Sequence, residues 1–235
     1  MSAAAIGRLY RRLAARYGPQ GWWPLASLAG RPGFDPRGYH PGIYGVPGPR
    51  RRFEVAAGAV LTQNTAWGNA EAALSALAAG GLLTPAALLS CPPRRLAALV
   101  RPSGYYNQKA RKLRVLAAFL AGLPRGRVPA REGLLELWGI GPETADSLLL
   151  YAWHLPVPVA DAYTRRLFYR LGWTGQRAGY EELSALCGRG LPAQAPVLQE
   201  FHALVVRHAK EHCRASPVCR GCPLAGRPCR WPRLF

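Results

Sequence analysis

The chain has 235 residues, 49% of them hydrophobic, which is enough for a sizeable core in one large domain or two smaller ones. Lysine and arginine number 31 against 12 aspartates and glutamates, so the formal net charge is +19 at pH 7. This excess argues against a neutral metabolic enzyme and indicates a polyanionic partner, with nucleic acid ahead of an anionic membrane. Only Lys109, Lys112 and Lys210 are lysines, and we interpret the arginine bias mostly as background composition.

The sequence contains no pattern typical of a membrane segment or a secretory signal. No run of about 18 consecutive apolar residues occurs. The stretch MSAAAIGRLYRRLAARYG mixes arginine into an apolar periodicity, which indicates an ordinary first helix rather than a signal peptide or a surface-bound membrane helix. We therefore expect a cytoplasmic, nucleoid-associated protein that does not bind membranes.

The apolar periodicity predicts an all-α protein. Alternating runs are almost absent, and alanine, leucine and arginine dominate the periodic segments. In chain order, residues 18–52 form a long segment rich in glycine, proline and aromatics, which predicts a functional loop. Helices are then predicted over residues 53–65, 67–79, 92–100, 105–121, 130–137, 142–154, 160–171, 179–187 and 193–212.

Two glycines join two of the predicted helices. In LWGIGPETA, residues 137–145, Gly139 and Gly141 permit a tight turn and a close approach of the backbone to a ligand. A helix that begins at Pro142 presents free N–H groups and the positive end of its dipole, which suits a phosphate. A helix–helix turn without a ligand explains this stretch equally well, so both interpretations stay open here.

Asp161, in the stretch VADAYTRR, is the candidate catalytic carboxylate. The chain has only two other aspartates, Asp35 and Asp146. Asp161 lies at the predicted start of a helix, where aspartate commonly caps the N-terminus. The two roles are compatible, because a capping carboxylate is held rigidly and stays ionised near a helix N-terminus.

Four of the six cysteines lie within one short stretch. Their spacing is Cys213-x5-Cys219-x2-Cys222-x6-Cys229. In a reducing compartment, four thiols this close favour one metal centre over two disulfides. Zinc and a [4Fe–4S] cluster both accept four thiolates, and the uneven spacing favours iron–sulfur modestly. Cys91 and Cys187 have apolar helical surroundings and are predicted to be small buried hydrophobes.

LWGIGPETA, VADAYTRR and the four-cysteine loop, in this order over about residues 53–229, together resemble the endonuclease III-like helix-hairpin-helix (HhH-GPD) DNA glycosylase superfamily. The resemblance implies two interlocked helical domains. One would comprise residues 1–52 and 160–235 with the cluster loop 213–229. The other would be a six-helix-barrel-type domain over residues 53–159 that ends in the hairpin.

The resemblance also implies roles for particular residues. Backbone amides of the hairpin would bind a DNA phosphate, and Asp161 would serve catalysis. The DNA-binding set would be Gly139, Ile140, Gly141, Thr144 and Arg165. A [4Fe–4S] cluster would be held by Cys213, Cys219, Cys222 and Cys229, although their 5-2-6 spacing differs from the commoner 6-2-5 arrangement.

One position distinguishes the subclass. Relatives that also cleave the DNA strand have a lysine just before the Thr-Ala of the hairpin motif, and this chain has Glu143 there. A carboxylate cannot form a Schiff base, so lyase chemistry is lost unless Lys109 or Lys112 substitutes. We expect no such substitution, because both lysines fall on the basic face of an amphipathic helix.

Three further stretches look like the 3-methyladenine DNA glycosylase III branch. They are VLTQNTAW (60–67), RPSGYYNQKA (101–110) and GIGPETADSLLLYA (139–152), and Trp22-Trp23-Pro24 agrees with them. This likeness implies that Gln63 enters the duplex where the damaged base leaves. It also implies a base pocket lined by aromatics, with Trp22, Trp23 and Phe53 as candidates, and core packing as the alternative for the tryptophans.

The sequence therefore predicts a monomeric, monofunctional DNA glycosylase of base excision repair. It would flip an alkylated purine such as 3-methyladenine out of double-stranded DNA and hydrolyse the N-glycosidic bond. One alternative is an endonuclease III-type glycosylase for oxidised pyrimidines with AP lyase activity. Non-enzymatic alternatives are a metal-cluster DNA-binding module and a zinc-ribbon adaptor.

Overall fold

The computed structural model describes residues 3–45, 48–124, 126–226, 229 and 231. All regular elements in these ranges are helical, which confirms the all-α prediction. None of these helices combines the length and the apolar character needed to cross a membrane. The α-helices are α1 (Ala3–Tyr17), α2 (Pro49–Leu61), α3 (Trp67–Ala79), α4 (Pro85–Ser90), α5 (Pro93–Leu99), α6 (Tyr106–Gly122), α7 (Arg131–Leu135), α8 (Pro142–Ser147), α9 (Ala162–Arg170), α10 (Tyr180–Gly190) and α11 (Ala195–Glu211).

The chain divides into two compact units. Unit 1 comprises Met1–Trp22 and Pro156–Phe235, and unit 2 comprises Trp23–Leu155. Unit 2 is built around α2, which packs against α3, α6, α8 and the π-helical segment Leu148–Ala152 that continues α8. Residues 53–61 of α2 are all buried, as expected of a helix that is covered on every side.

The boundaries between the units differ from the predicted ones. The first lies after residue 22 rather than after residue 52, and the second after residue 155 rather than after residue 159. The reason is that the loop after residue 22 packs within unit 2. The indole of Trp23 contacts the rings of Trp67 and Tyr151 at centroid distances of 5.6 and 5.2 Å. The carboxylate of Glu54, which is 1% exposed, accepts a hydrogen bond from the Ser27 N–H at 2.9 Å.

Unit 1 is built around α11, which packs against α1 and α9, while α1 also contacts α10. α11 is buried along most of its length, and several of its buried side chains are polar. Glu200 accepts a hydrogen bond from the Gln20 N–H at 2.7 Å, and His208 bonds the Tyr17 hydroxyl at 3.0 Å. Polar side chains thus enter this core with partners. The prediction of burial is confirmed for Cys187 on α10.

Candidate nucleic-acid interface and active site

The hairpin between α7 and α8 is a tight turn in unit 2. Gly139 has φ +83°, in the left-handed region that favours glycine. The Ile140 N–H donates to the Leu137 carbonyl at 3.0 Å, and its side chain is buried. Ile140 therefore anchors the turn and uses its own amide there. Within the described residues, no acceptor engages the N–H of Gly139 or Gly141, so the turn keeps two donors for an anion.

Gln63 lies against this hairpin, and both the nitrogen and the oxygen of its side-chain amide are hydrogen-bonded. Its Nε2 donates to the Gly139 carbonyl at 3.1 Å and to Oγ1 of Thr144 at 3.0 Å. Its Oε1 accepts from Nζ of Lys112 at 2.6 Å. The sequence predicts Gln63 and Thr144 as separate DNA contacts, and the structure joins them by a hydrogen bond. Thr144 is buried and positions Gln63.

Lys109 and Lys112 have different environments, so the prediction that both lie on a basic surface is wrong for Lys109. Lys109 is 2% exposed and donates to the carbonyls of Leu61 and Ser103 at 2.7 and 2.6 Å. Burial, with the nearby charge of Lys112, lowers the pKa of Lys109 to about 8. Its ammonium caps the end of α2 because that helix terminus leaves carbonyls unpaired within the helix.

Glu143 lies exposed in the first turn of α8. A carboxylate at this place is favoured by the positive end of the helix dipole. The position is therefore open to solvent and carries a group that cannot form an imine with a sugar aldehyde.

Asp161 belongs to unit 1, where it caps α9. One carboxylate oxygen, Oδ1, accepts from both the backbone N–H and the hydroxyl of Thr164, at 2.8 and 3.0 Å. The other oxygen, Oδ2, is 3.5 Å from Nε2 of His202 on α11. Burial raises the pKa of Asp161, but the contacts with His202 and Thr164 outweigh it, so the pKa lies below its usual value. The side chain is thus a rigid, ionised carboxylate.

His202 is a further residue of this site that the sequence does not indicate. It is 6% exposed, and its ring meets the edge of Trp22 at a centroid distance of 5.6 Å and an interplanar angle of 80°. The only signal in the sequence is a histidine within an apolar helix, which is more often a core residue than a site residue. Within unit 1 the three side chains form a row from Trp22 through His202 to Asp161.

The three aromatic candidates for the base pocket differ in exposure. Trp22 is half-buried, whereas Trp23 and Phe53 are 6% and 2% exposed. Trp23 packs on the core rings already described and over Gly58, where an added Cβ would lie 2.7 Å from its Nε1. Trp23 thus follows the core-packing alternative. Arg165 is exposed on α9, consistent with a role at a surface.

The cysteine loop in unit 1 is organised by Arg170, whose side chain is buried. Its guanidinium donates to Sγ of Cys213 at 3.2 Å and to the carbonyls of Arg214 and Ala215 at 2.6 and 2.9 Å. It also lies over the ring of Trp231, 4.5 Å from the centroid. One cation therefore holds the first cysteine and the chain that follows it.

Two thiols of this loop are affected by burial and by neighbouring cysteines. Burial raises the pKa of Cys222 and of Cys229, and Cys213 and Cys219 raise both further. The Leu224 N–H donates to Sγ of Cys222 at 3.4 Å, a contact that stabilises a bound thiolate. In the described part of the chain, no three His, Cys, Asp or Glu side chains are arranged to hold a metal.

Similarity to known proteins covers nearly the whole chain. Residues 57–193 match the HhH-GPD superfamily of base excision DNA repair proteins. A Methanocaldococcus jannaschii protein named as a DNA repair glycosylase is 35% identical over 229 residues, which span 93% of each chain.

Solved structures show the same fold. Endonuclease III in a trapped covalent intermediate with DNA gives a TM-score of 0.77 at 22% identity over 100% of both chains. H. pylori 3-methyladenine DNA glycosylase bound to 1,N6-ethenoadenine gives 0.69 at 24% identity over 90% of this chain and 98% of that one. The chain belongs to the HhH-GPD superfamily of base excision DNA repair proteins.

Proposed function

We propose that the protein is a monofunctional DNA glycosylase that removes alkylated purines such as 3-methyladenine from double-stranded DNA. Membership of the superfamily supports the general activity, hydrolysis of the N-glycosyl bond in DNA. The observation that carries the finer proposal is the row of Trp22, His202 and Asp161 within unit 1. It brings an aromatic ring and an ionised carboxylate into one cluster of side chains.

The chemistry assigned to Asp161 is electrostatic. As the C1′–N bond breaks, the electron pair leaves with the base and the sugar acquires oxocarbenium character. An ionised carboxylate stabilises that charge and orients the attacking water, as carboxylates do at other glycosidic bonds. The water oxygen bonds to C1′ and its proton passes to solvent. The two bonds from Thr164 hold Oδ1 of Asp161, so the carboxylate needs no reorganisation during the reaction.

Alkylated purines suit this arrangement because alkylation at N3 or N7 gives the base a positive charge. The charge makes the base a better leaving group, and stacking on Trp22 would gain about 0.5–2 kcal/mol from the cation–π interaction. A normal, neutral base lacks that gain. Base flipping costs a few kcal/mol and is easiest for a weakly paired damaged base.

We expect no lyase activity because no amine near the hairpin, within the described part of the chain, is available to attack a sugar aldehyde without first losing its contacts. Glu143 stands at the position of the lysine in strand-cleaving relatives. The ammonium of Lys109 is buried against two carbonyls, and that of Lys112 is bound to Gln63. In each case an attack on a sugar aldehyde would first break these contacts.

We further propose that the cysteine loop carries a [4Fe–4S] cluster on Cys213, Cys219, Cys222 and Cys229. Such a cluster would pin the loop and supply a centre capable of one-electron transfer. The donor set supports it, since the four cysteines belong to one short loop and two of their sulfurs already accept N–H groups, from Arg170 and Leu224. Brown colour and broad visible absorption would separate this cluster from colourless zinc.

An excision panel tests the proposed function. Duplexes carry 3-methyladenine, 7-methylguanine, thymine glycol, uracil or an abasic site, and borohydride is added in parallel to trap imines. We expect release of the alkylated purines, no trapped adduct and no strand cleavage. Release of thymine glycol with a trapped adduct would instead establish the endonuclease III-type activity. Binding of every duplex without base release would establish a DNA-binding module.

A further inference from the structure

The carboxylate of Asp161 is held by two different elements of unit 1. Thr164, in the first turn of the helix that Asp161 caps, binds Oδ1 alone. The contact to Oδ2 comes from His202, which belongs to α11 and reaches Oδ2 with Nε2 at 3.5 Å. Helix capping accounts for the Thr164 contacts. It does not require a histidine at Oδ2.

Among the described residues, three side chains with polar or titratable groups bear on Asp161: Thr164, Cys187 and His202. On its own helix the Thr164 hydroxyl is neutral. From α10, Cys187 approaches, and burial together with Asp161 raises the pKa of this thiol to about 12, so it stays neutral at physiological pH. From α11 comes His202. His202 is thus the one of these groups that places a ring nitrogen, which can donate a hydrogen bond, toward Oδ2, at 3.5 Å.

We propose that His202 is a positioning residue for base excision, which aligns Oδ2 of Asp161 and links this carboxylate to Trp22. Burial raises the pKa of Asp161, and the contact with His202 acts against burial and lowers it. The inference rests on the proposed function, because it assigns His202 to the same excision step. The contact between the rings of His202 and Trp22 limits how far the imidazole can turn. A base stacked on Trp22 would therefore meet a carboxylate whose direction is already set.

Two substitutions at His202 distinguish the effect of its N–H donor from the effect of its aromatic ring. His202→Phe keeps an aromatic ring against Trp22 and removes the donor. His202→Gln keeps an N–H donor and removes the ring. Single-turnover excision of 3-methyladenine is measured against pH, together with the affinity for uncleaved duplex. We expect His202→Phe to slow excision about tenfold, the size typical for a partner that orients a functional group, while DNA affinity stays within about twofold. The acidic limb of its pH profile should move to higher pH, and His202→Gln should recover part of the rate.

A second readout needs no enzymatic activity. With aspartate carboxyls labelled with ¹³C, the three aspartates of the chain give three titration curves, and Asp161→Asn identifies one of them. We expect His202→Phe to raise the midpoint of Asp161 only. Failure of the wild-type protein to release any alkylated purine would refute the proposed function. The carboxyl titration would then still test, without any activity, whether His202 affects the Asp161 carboxylate. An unmoved Asp161 midpoint, or a wild-type pH profile in His202→Phe, would overturn the inference. So would equal losses in both variants, since these would assign the histidine to packing.

Discussion

Lys112 occupies the space that a side chain on Gly139 would need. A Cβ added to Gly139 would clash with Cε of Lys112, whose ammonium hydrogen-bonds Oε1 of Gln63. Gln63 in turn donates to the carbonyl of Gly139. These contacts connect helix α6 and the turn after α2 to the hairpin. They meet at Gly139, where the side chain of Lys112 leaves no room for a Cβ.

The two hairpin glycines are expected to respond differently to alanine. Gly139→Ala brings a Cβ into the side chain of Lys112. It also holds an alanine in the left-handed conformation, which by itself lowers the free energy of unfolding by about 1–2 kcal/mol. Gly141 has φ −96° and no atom within 4 Å of an added Cβ, so Gly141→Ala should keep wild-type stability and lose DNA affinity only. Urea denaturation and DNA titration measure both effects. Equal stability of the two variants would contradict the close approach of Lys112.

Asp161→Asn is expected to slow excision of 3-methyladenine about 100-fold or more, the size typical of removing one electrostatic contact to a transition state. DNA affinity should change little, because the amide keeps the shape of the side chain. The matched control is Glu182→Gln, which removes one exposed carboxylate from α10. Rapid turnover by the Asp161 variant would remove this residue from the mechanism.

The buried ammonium of Lys109 predicts a pH-dependent stability. Its pKa of about 8 in the folded chain lies below its ordinary value of 10.5. Between these values the unfolded chain binds more protons, so the free energy of unfolding rises with pH in this window. The comparison with Lys109→Met, at several pH values from about 7 to about 10, isolates this contribution from other titrating groups. A constant difference between the two proteins would disagree with the depressed pKa.

Arg170 is expected to determine the integrity of the cysteine loop. Arg170→Met removes the donor to Cys213 and the two bonds to backbone carbonyls. We expect loss of visible absorption and of loop protection against proteolysis. The control is Arg214→Met, because Arg214 is exposed and its side chain donates to the Lys210 carbonyl, four residues earlier on the chain. Equal absorption in both variants would show that Arg170 does not support the proposed cluster.

The net charge of +19 predicts a steep salt dependence of DNA binding. About five phosphate contacts would give a slope of roughly −4 to −5 when the logarithm of affinity is plotted against that of salt concentration. Fluorescence anisotropy with an undamaged duplex measures this slope. A nearly flat titration would mean that the positive charge of the protein does not contribute to DNA binding.

Much of the local structure could be predicted from the sequence. The positive φ of Gly139 and the capping role of Asp161 both depend on residue type and immediate neighbours, so they follow from spacing alone. The helical periodicity depends on neighbours three and four residues apart, and most predicted helices are present. Helix α4 was not predicted, although Thr84 caps it and Pro85 begins it, because its apolar residues are too few to show a period.

Other features were decided by tertiary structure. Trp23 became a core residue and Trp22 a neighbour of His202, although the two are adjacent in sequence, because packing depends on which unit each ring reaches. Lys109 is buried because two carbonyls from distant segments meet its ammonium, and no local pattern signals such a pocket. The sequence by itself determined the kind of helices, the hairpin and the capped acid, since these depend on short-range backbone preferences. Only the tertiary structure decided which side chain faces the second oxygen of Asp161, because that contact joins two helices that are far apart along the chain.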